Sequence, residues 1–88
     1  IYMFSGDSIP VKFLTSEGMM NELVDWLGKD LRIKKTDVEG QIEVRVNCNE
    51  EAMFYWTLQY GPFVEVLEPT TLRSRIYEAA KEMCRKYQ

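Results

Sequence analysis

From Gln41 to Cys48 the chain alternates without a break. Ile42, Val44, Val46 and Cys48 are apolar, while Gln41, Glu43, Arg45 and Asn47 are polar. A period of two over this length predicts a strand with one buried face and one wetted face. A helix would instead repeat its apolar positions every three or four residues. One such strand is not stable alone, since it needs paired neighbours and a cover for its apolar face.

The rest of the chain supplies both. Ile9, Val11 and Phe13 alternate with Pro10, Lys12 and Leu14, which predicts a first strand, and Phe13 has the parity of its buried face. Ser16 is placed to cap a helix running to about Leu27, with Gly28 as its stop and Met19, Met20, Leu23 and Leu27 as its apolar stripe. Leu31 and Ile33 alternate with Arg32 and Lys34 in a second strand, and Asp37-Val38-Glu39-Gly40 reads as a turn into the third. Asn49 caps a second helix that stops at Gly61, and 63–67 is a fourth strand. Pro69 suits the first turn of a third helix with the stripe Leu72, Ile76, Ala79, Ala80, Met83 and Tyr87. The order is strand-helix-strand, strand-helix-strand, then helix. It predicts an α+β, ferredoxin-like βαββαβ antiparallel sheet with an added C-terminal helix. Residues 1–8 read as a linker from a preceding domain and 9–88 as the domain itself. The chain does not begin with Met, so we expect a piece of a longer protein.

Several functions are disfavoured by what the chain lacks. With no His, neither a Ser-His-Asp nor a Cys-His arrangement can be built. No Gly-x-Gly-x-x-Gly or Walker-type loop occurs. Glu50 and Glu51 sit where a helix opens, a place that favours negative charge without any catalytic role. An acylphosphatase-type enzyme needs an Arg-bearing anion loop after the first strand, and Leu14-Thr15-Ser16-Glu17-Gly18 has none. We therefore expect no catalytic residues, no metal and no cofactor, and a protein that is not an enzyme. The net charge of −3 argues against a dedicated nucleic-acid binder. RNA-recognition domains of this fold expose aromatics on their central strands, whereas the third strand here exposes Gln41, Glu43, Arg45 and Asn47. No run is long and apolar enough to span a membrane, and no signal peptide opens the chain. Cys48 and Cys84 form no Cys-x-x-Cys pair and are expected as buried, reduced thiols in a cytoplasmic protein.

Two surfaces rise above background. The open sheet face gathers Lys12, Arg32, Lys34 and Arg45 against Glu43 and Glu65, on an otherwise acidic chain. It is either an ordinary solvated face or a contact for phosphate or another ligand. The second helix is aromatic on more than one side. Ala52, Met53, Trp56 and Tyr60 share one face, while Phe54 and Leu58 lie opposite. Trp26 lies off the stripe of the first helix. Trp26, Phe54 and Leu58 are either covered by the C-terminal helix, scattered on the surface, or part of an interface.

Several stretches, in order, resemble the C-terminal extension, of WCX type, found in bacterial WYL-domain helix-turn-helix transcriptional regulators. Met3-Phe4-Ser5-Gly6 resembles the segment leaving the WYL domain, and Val11-Lys12-Phe13-Leu14 the first strand. The stretch 25–31, Asp-Trp-Leu-Gly-Lys-Asp-Leu, resembles the helix end often written Asp-Arg-Phe-Gly, with Trp26 in place of the usual Arg. Phe54-Tyr55-Trp56 through Tyr60-Gly61, then Val64-Glu65-Val66-Leu67-Glu68-Pro69 and Leu72-Arg73, resemble the Trp-containing helix, its Gly stop and the final strand, and Tyr87 resembles the terminal Tyr. The resemblance implies an accessory domain that mediates dimerisation and relays ligand sensing. Its partners would be the other domains of the same regulator and a second subunit, with a nucleic-acid or nucleotide effector acting through the full-length protein. The alternative is a small-molecule or nucleotide sensor that uses the basic sheet face. The helix-turn-helix and the WYL tripeptide are absent from this sequence, so no DNA-reading or ligand-sensing residue carries over.

Overall fold

The computed structural model describes residues 2–28 and 30–88. Ile1, the first residue of the expected linker, and Lys29, within the stretch that resembles the family's helix end, lie outside them. The elements run β1 (Ile9–Ser16), α1 (Met20–Leu27), β2 (Arg32–Lys35), β3 (Gln41–Cys48), α2 (Glu50–Gln59), β4 (Glu65–Glu68) and α3 (Thr70–Lys86). The strands form one antiparallel sheet in the order β2-β3-β1-β4. β3 pairs with both β1 and β2, so the first strand-helix-strand unit is split by the strand that follows it. This is the expected ferredoxin-like arrangement with a C-terminal helix added.

The register explains why the sheet forms here. Val11 pairs with Val46 and Phe13 with Val44 across β1 and β3. Ile33 pairs with Val44 and Phe13 with Val66 on either side. β1, β3 and β4 thus bury their apolar residues on one face, which a slip of one residue would expose, while β2 at the sheet edge, Ile33 included, is exposed. Leu23 and Leu27 of α1, Met53 and Trp56 of α2 and Leu72 of α3 join that face in one buried cluster. Burying each such side chain contributes about 1.5–3 kcal/mol.

The caps work as their residues suggest. Asn49 Oδ1 accepts the Ala52 N–H at 2.9 Å, and Ser16 Oγ accepts the Gly18 N–H at 3.2 Å. Ser16 opens a 3₁₀ turn, Glu17–Met19, and α1 proper follows it. Gly28 ends α1 with φ at 79°, a conformation that a side chain would strain.

Three details differ from the sequence reading. Met20 is exposed, because it sits about 100° round the helix from the buried line Met19, Leu23 and Leu27. The fourth strand begins at Glu65, since Gly61–Phe63 form a 3₁₀ turn around Pro62 that leaves Phe63 exposed. The Phe63 carbonyl accepts the Thr15 hydroxyl at 2.6 Å, which ties this turn to β1. Finally, the segment expected as a linker is docked on Asn49, whose side-chain amide donates to the Ser5 carbonyl at 2.9 Å. Met3 is buried, and its carbonyl accepts the Asn49 N–H at 2.7 Å.

Candidate functional site

The register sets the cations of the open sheet face in rows. Lys12 pairs with Arg45 and Arg45 with Arg32, so three cations lie side by side across β1, β3 and β2. They line a shallow groove of about 840 Å³ together with Asn47 and the β4–α3 junction at Glu68, Pro69 and Thr70. Lys34 lies one row away, paired in register with Glu43, and is outside this groove. Carboxylates temper the row. Glu68 stands 3.3 Å from Lys12, Glu43 accepts from Arg45 at 3.1 Å, and Asp30 borders the groove. Among the described residues, no ion pair within 4.0 Å involves Arg32 or Lys34. In each pair one side chain is partly covered, Lys12 in the first and Glu43 in the second, while its partner is exposed, and surface pairs contribute about 0–1 kcal/mol each.

The three candidate interface residues separate. Trp26 lies on the α1 side, about half exposed, with its indole N–H donating to the Tyr60 hydroxyl at 3.1 Å. Phe54 and Leu58 lie on the other side of α2 and are half-buried. The Arg75 guanidinium of α3 sits 4.2 Å from the centre of the Phe54 ring and bonds Glu50 and Glu51 at 3.0 and 2.9 Å. Burial alone would lower the Arg75 pKa, but its bonds to Glu51 and Glu50 outweigh this and raise it above its ordinary value. Arg75 is thus a clamp between α3 and the start of α2, laid over an aromatic ring. Leu58 is half-buried on this side of α2, so Leu58→Asp, which puts a charge at a partly covered position, is expected to lower folding stability by about 1 kcal/mol. Urea unfolding followed by circular dichroism checks this. An unchanged midpoint would show that Leu58 takes no part in packing.

α3 also carries a surface that the sequence reading did not single out. Leu72 is buried and Ile76 packs against the core, but every residue from Ala80 onward is exposed. Met83 is 48% and Tyr87 88% exposed, although both continue the stripe of Leu72 and Ile76. The signal was length. α3 has 17 residues against 8 in α1 and 10 in α2, so it outruns the layer it covers. Cys84 is therefore exposed, contrary to the expectation that both thiols are buried. Cys48 is buried at the end of β3, where desolvation pushes its pKa up to about 11 and keeps it a thiol.

The described residues hold no cluster of His, Cys, Asp or Glu able to bind a metal ion, and no helix long and apolar enough to cross a membrane. Among curated proteins, no match to the chain was found. The family model described as the WCX domain matches residues 7–84, which covers all seven elements named above except the last two residues of α3. The chain belongs to the WCX domain family.

Proposed function

We propose that this domain is an accessory module of a WYL-type transcriptional regulator, working by contact rather than catalysis. In this reading the outer half of α3 joins a second copy of the chain. The observation that carries it is the exposed stripe. Ile76, Ala80, Met83 and Tyr87 recur at spacings of four, three and four, the seam spacing of paired helices, and the last three are exposed. The charges favour an antiparallel pair. Glu78 and Glu82, which pair within the helix with Lys81 and Arg85, lie nearer the core, and Arg85 and Lys86 lie at the tip. Two helices running in opposite directions bring Glu78 and Glu82 of each near the other's Arg85 and Lys86, so the pairs made within each helix can extend across the seam. The surface is small, so the association of this chain alone falls in the micromolar-to-millimolar range, about −8 to −4 kcal/mol. Sedimentation velocity over a concentration series tests it. A reversible monomer–dimer exchange is expected, and a monomer at every concentration up to about millimolar contradicts it.

The same geometry supports a relay. Glu68, the last residue of β4, pairs with Lys12 in the basic row and stands two residues before α3 begins. Arg73 of α3 bonds the Val66 carbonyl and Glu65 of the same strand at 2.8 and 2.9 Å. An anion that takes Lys12 from Glu68 therefore acts at the base of the helix that carries the contact surface. This makes the basic face a second reading, a site for phosphate-bearing ligands such as nucleotides, favoured by the alignment of Lys12, Arg45 and Arg32 in one groove. Reversing Arg32 and Arg45 to Glu is expected to weaken binding of a nucleotide or a short single strand at least about tenfold and to flatten its salt dependence. Unchanged binding in the variant removes the sheet face from the mechanism.

A further inference from the structure

We propose that the groove between α1 and α2 binds a small organic cation, an alkylated ammonium compound. The groove has a volume of about 450 Å³, within the range of small-molecule sites of about 300–1,000 Å³. Tyr2, Trp26 and Tyr55 supply exposed aromatic surface, the buried Trp56 forms the floor, and Asp25 and Gln59 supply the polar groups. Tyr55, Trp56 and Gln59 recur at helical spacing and so share one face of α2, while Asp25 and Trp26 come from the last turn of α1. Three exposed aromatic side chains, Tyr2, Trp26 and Tyr55, and one carboxylate are complementary to positive charge, with the buried Trp56 behind them. A cation is drawn to ring faces by their negative quadrupole, the more strongly as water is excluded.

The aromatic wall is held in place from behind. The Trp26 indole N–H donates to the Tyr60 hydroxyl, the Tyr60 ring lies 5.1 Å from that of Trp56, and Trp56 lies 5.7 Å from Phe13 in the core. A half-exposed tryptophan that is hydrogen-bonded at one end and backed by a buried aromatic stack keeps one orientation before any ligand arrives, which reduces the ordering cost of binding. The charge around the groove excludes the phosphate-bearing ligands considered for the sheet face. Among the described residues no Lys or Arg lines it, and Asp25 repels anions. Tyr2 and Tyr55 are exposed at 72% and 57%, so their faces are reachable from solvent.

The proposal is independent of the α3 reading, and either can fail alone. Its test is a titration of the 88-residue chain with choline and with tetramethylammonium, read by tryptophan fluorescence and by the two indole N–H signals in a proton–nitrogen NMR spectrum. Saturable changes are expected at both Trp26 and Trp56. The uncharged isostere 3,3-dimethylbutan-1-ol is expected to bind at least about tenfold more weakly, since it keeps the shape and loses the charge. Asp25→Asn and Tyr55→Ala, both at exposed positions, are expected to keep the circular dichroism of the parent and each to weaken choline binding about three- to tenfold. The proposal is overturned if neither cation gives a saturable response, if the isostere binds as well as choline, or if both variants bind choline like the parent. Shifts confined to the sheet face would overturn it as well.

Discussion

Replacing Phe13 by alanine is expected to lower folding stability by about 3–5 kcal/mol, the range found when a large buried aromatic is truncated. Phe13 has no exposed surface and sits on β1, the strand that pairs with both β3 and β4. Its register partners are Val44 and Val66, and its ring meets Trp56 of α2. Truncation therefore removes a contact shared by three strands and a helix, and leaves a cavity that these elements cannot all close at once. A chain of 88 residues has roughly 4–13 kcal/mol of stability in total, so the loss is a large share of it. Phe13→Leu keeps most of the volume and is expected to cost less than about 2 kcal/mol. Urea unfolding of both variants decides the matter. An alanine variant within about 1 kcal/mol of the parent would mean that this core is not organised around Phe13.

The second large effect is expected at the far end of the molecule. Met83→Glu together with Tyr87→Glu replaces the two large apolar groups of the exposed stripe with charges. Burying each parent side chain in a pair of helices is worth about 1.5 kcal/mol or more, and the variant also sets like charges across the seam. The dimer is expected to weaken at least about a hundredfold, which follows from about 3 kcal/mol at 1.4 kcal/mol per factor of ten. Folding stability is expected to stay within about 0.5 kcal/mol of the parent, because both side chains project into solvent in the single chain. This separation distinguishes an interface from a core. Phe13→Ala acts on folding, whereas the double Glu variant acts on assembly alone.

How far the sequence disclosed these features depends on what sets them. The sheet was legible because its rules are local. Strict alternation in β3, and the parity of Val11 and Phe13 in β1, fix which face is buried, and the helix caps at Ser16 and Asn49 mark where strands give way to helices. The rows of the basic face were half legible. Parity placed Lys12, Arg32, Lys34 and Arg45 on one side, but which of them align depends on the stagger between strands. That stagger puts Lys12, Arg45 and Arg32 in one line, leaves Lys34 beside Glu43, and brings Glu68 to Lys12. The cover over Phe54 depends on where α3 brings Arg75, which no local pattern carries. The exposed stripe of α3 follows from the reach of a helix of about 25 Å beyond a sheet of short outer strands. The aromatic groove needs α1, α2 and the segment around Tyr2 together, three pieces that are distant in sequence.

The most direct test of the central claim is amide hydrogen exchange of residues 80–87 at two protein concentrations. In the single chain these amides lie in a helix end whose residues are all exposed, so they exchange by fraying, while those of β1 and β3 wait for global opening. If the outer half of α3 is the contact surface, raising the concentration from about micromolar to about millimolar slows exchange in residues 80–87 and leaves the sheet amides unchanged. Exchange in residues 80–87 that is the same at both concentrations, while sedimentation shows a dimer at the higher one, would place the contact elsewhere and contradict the account.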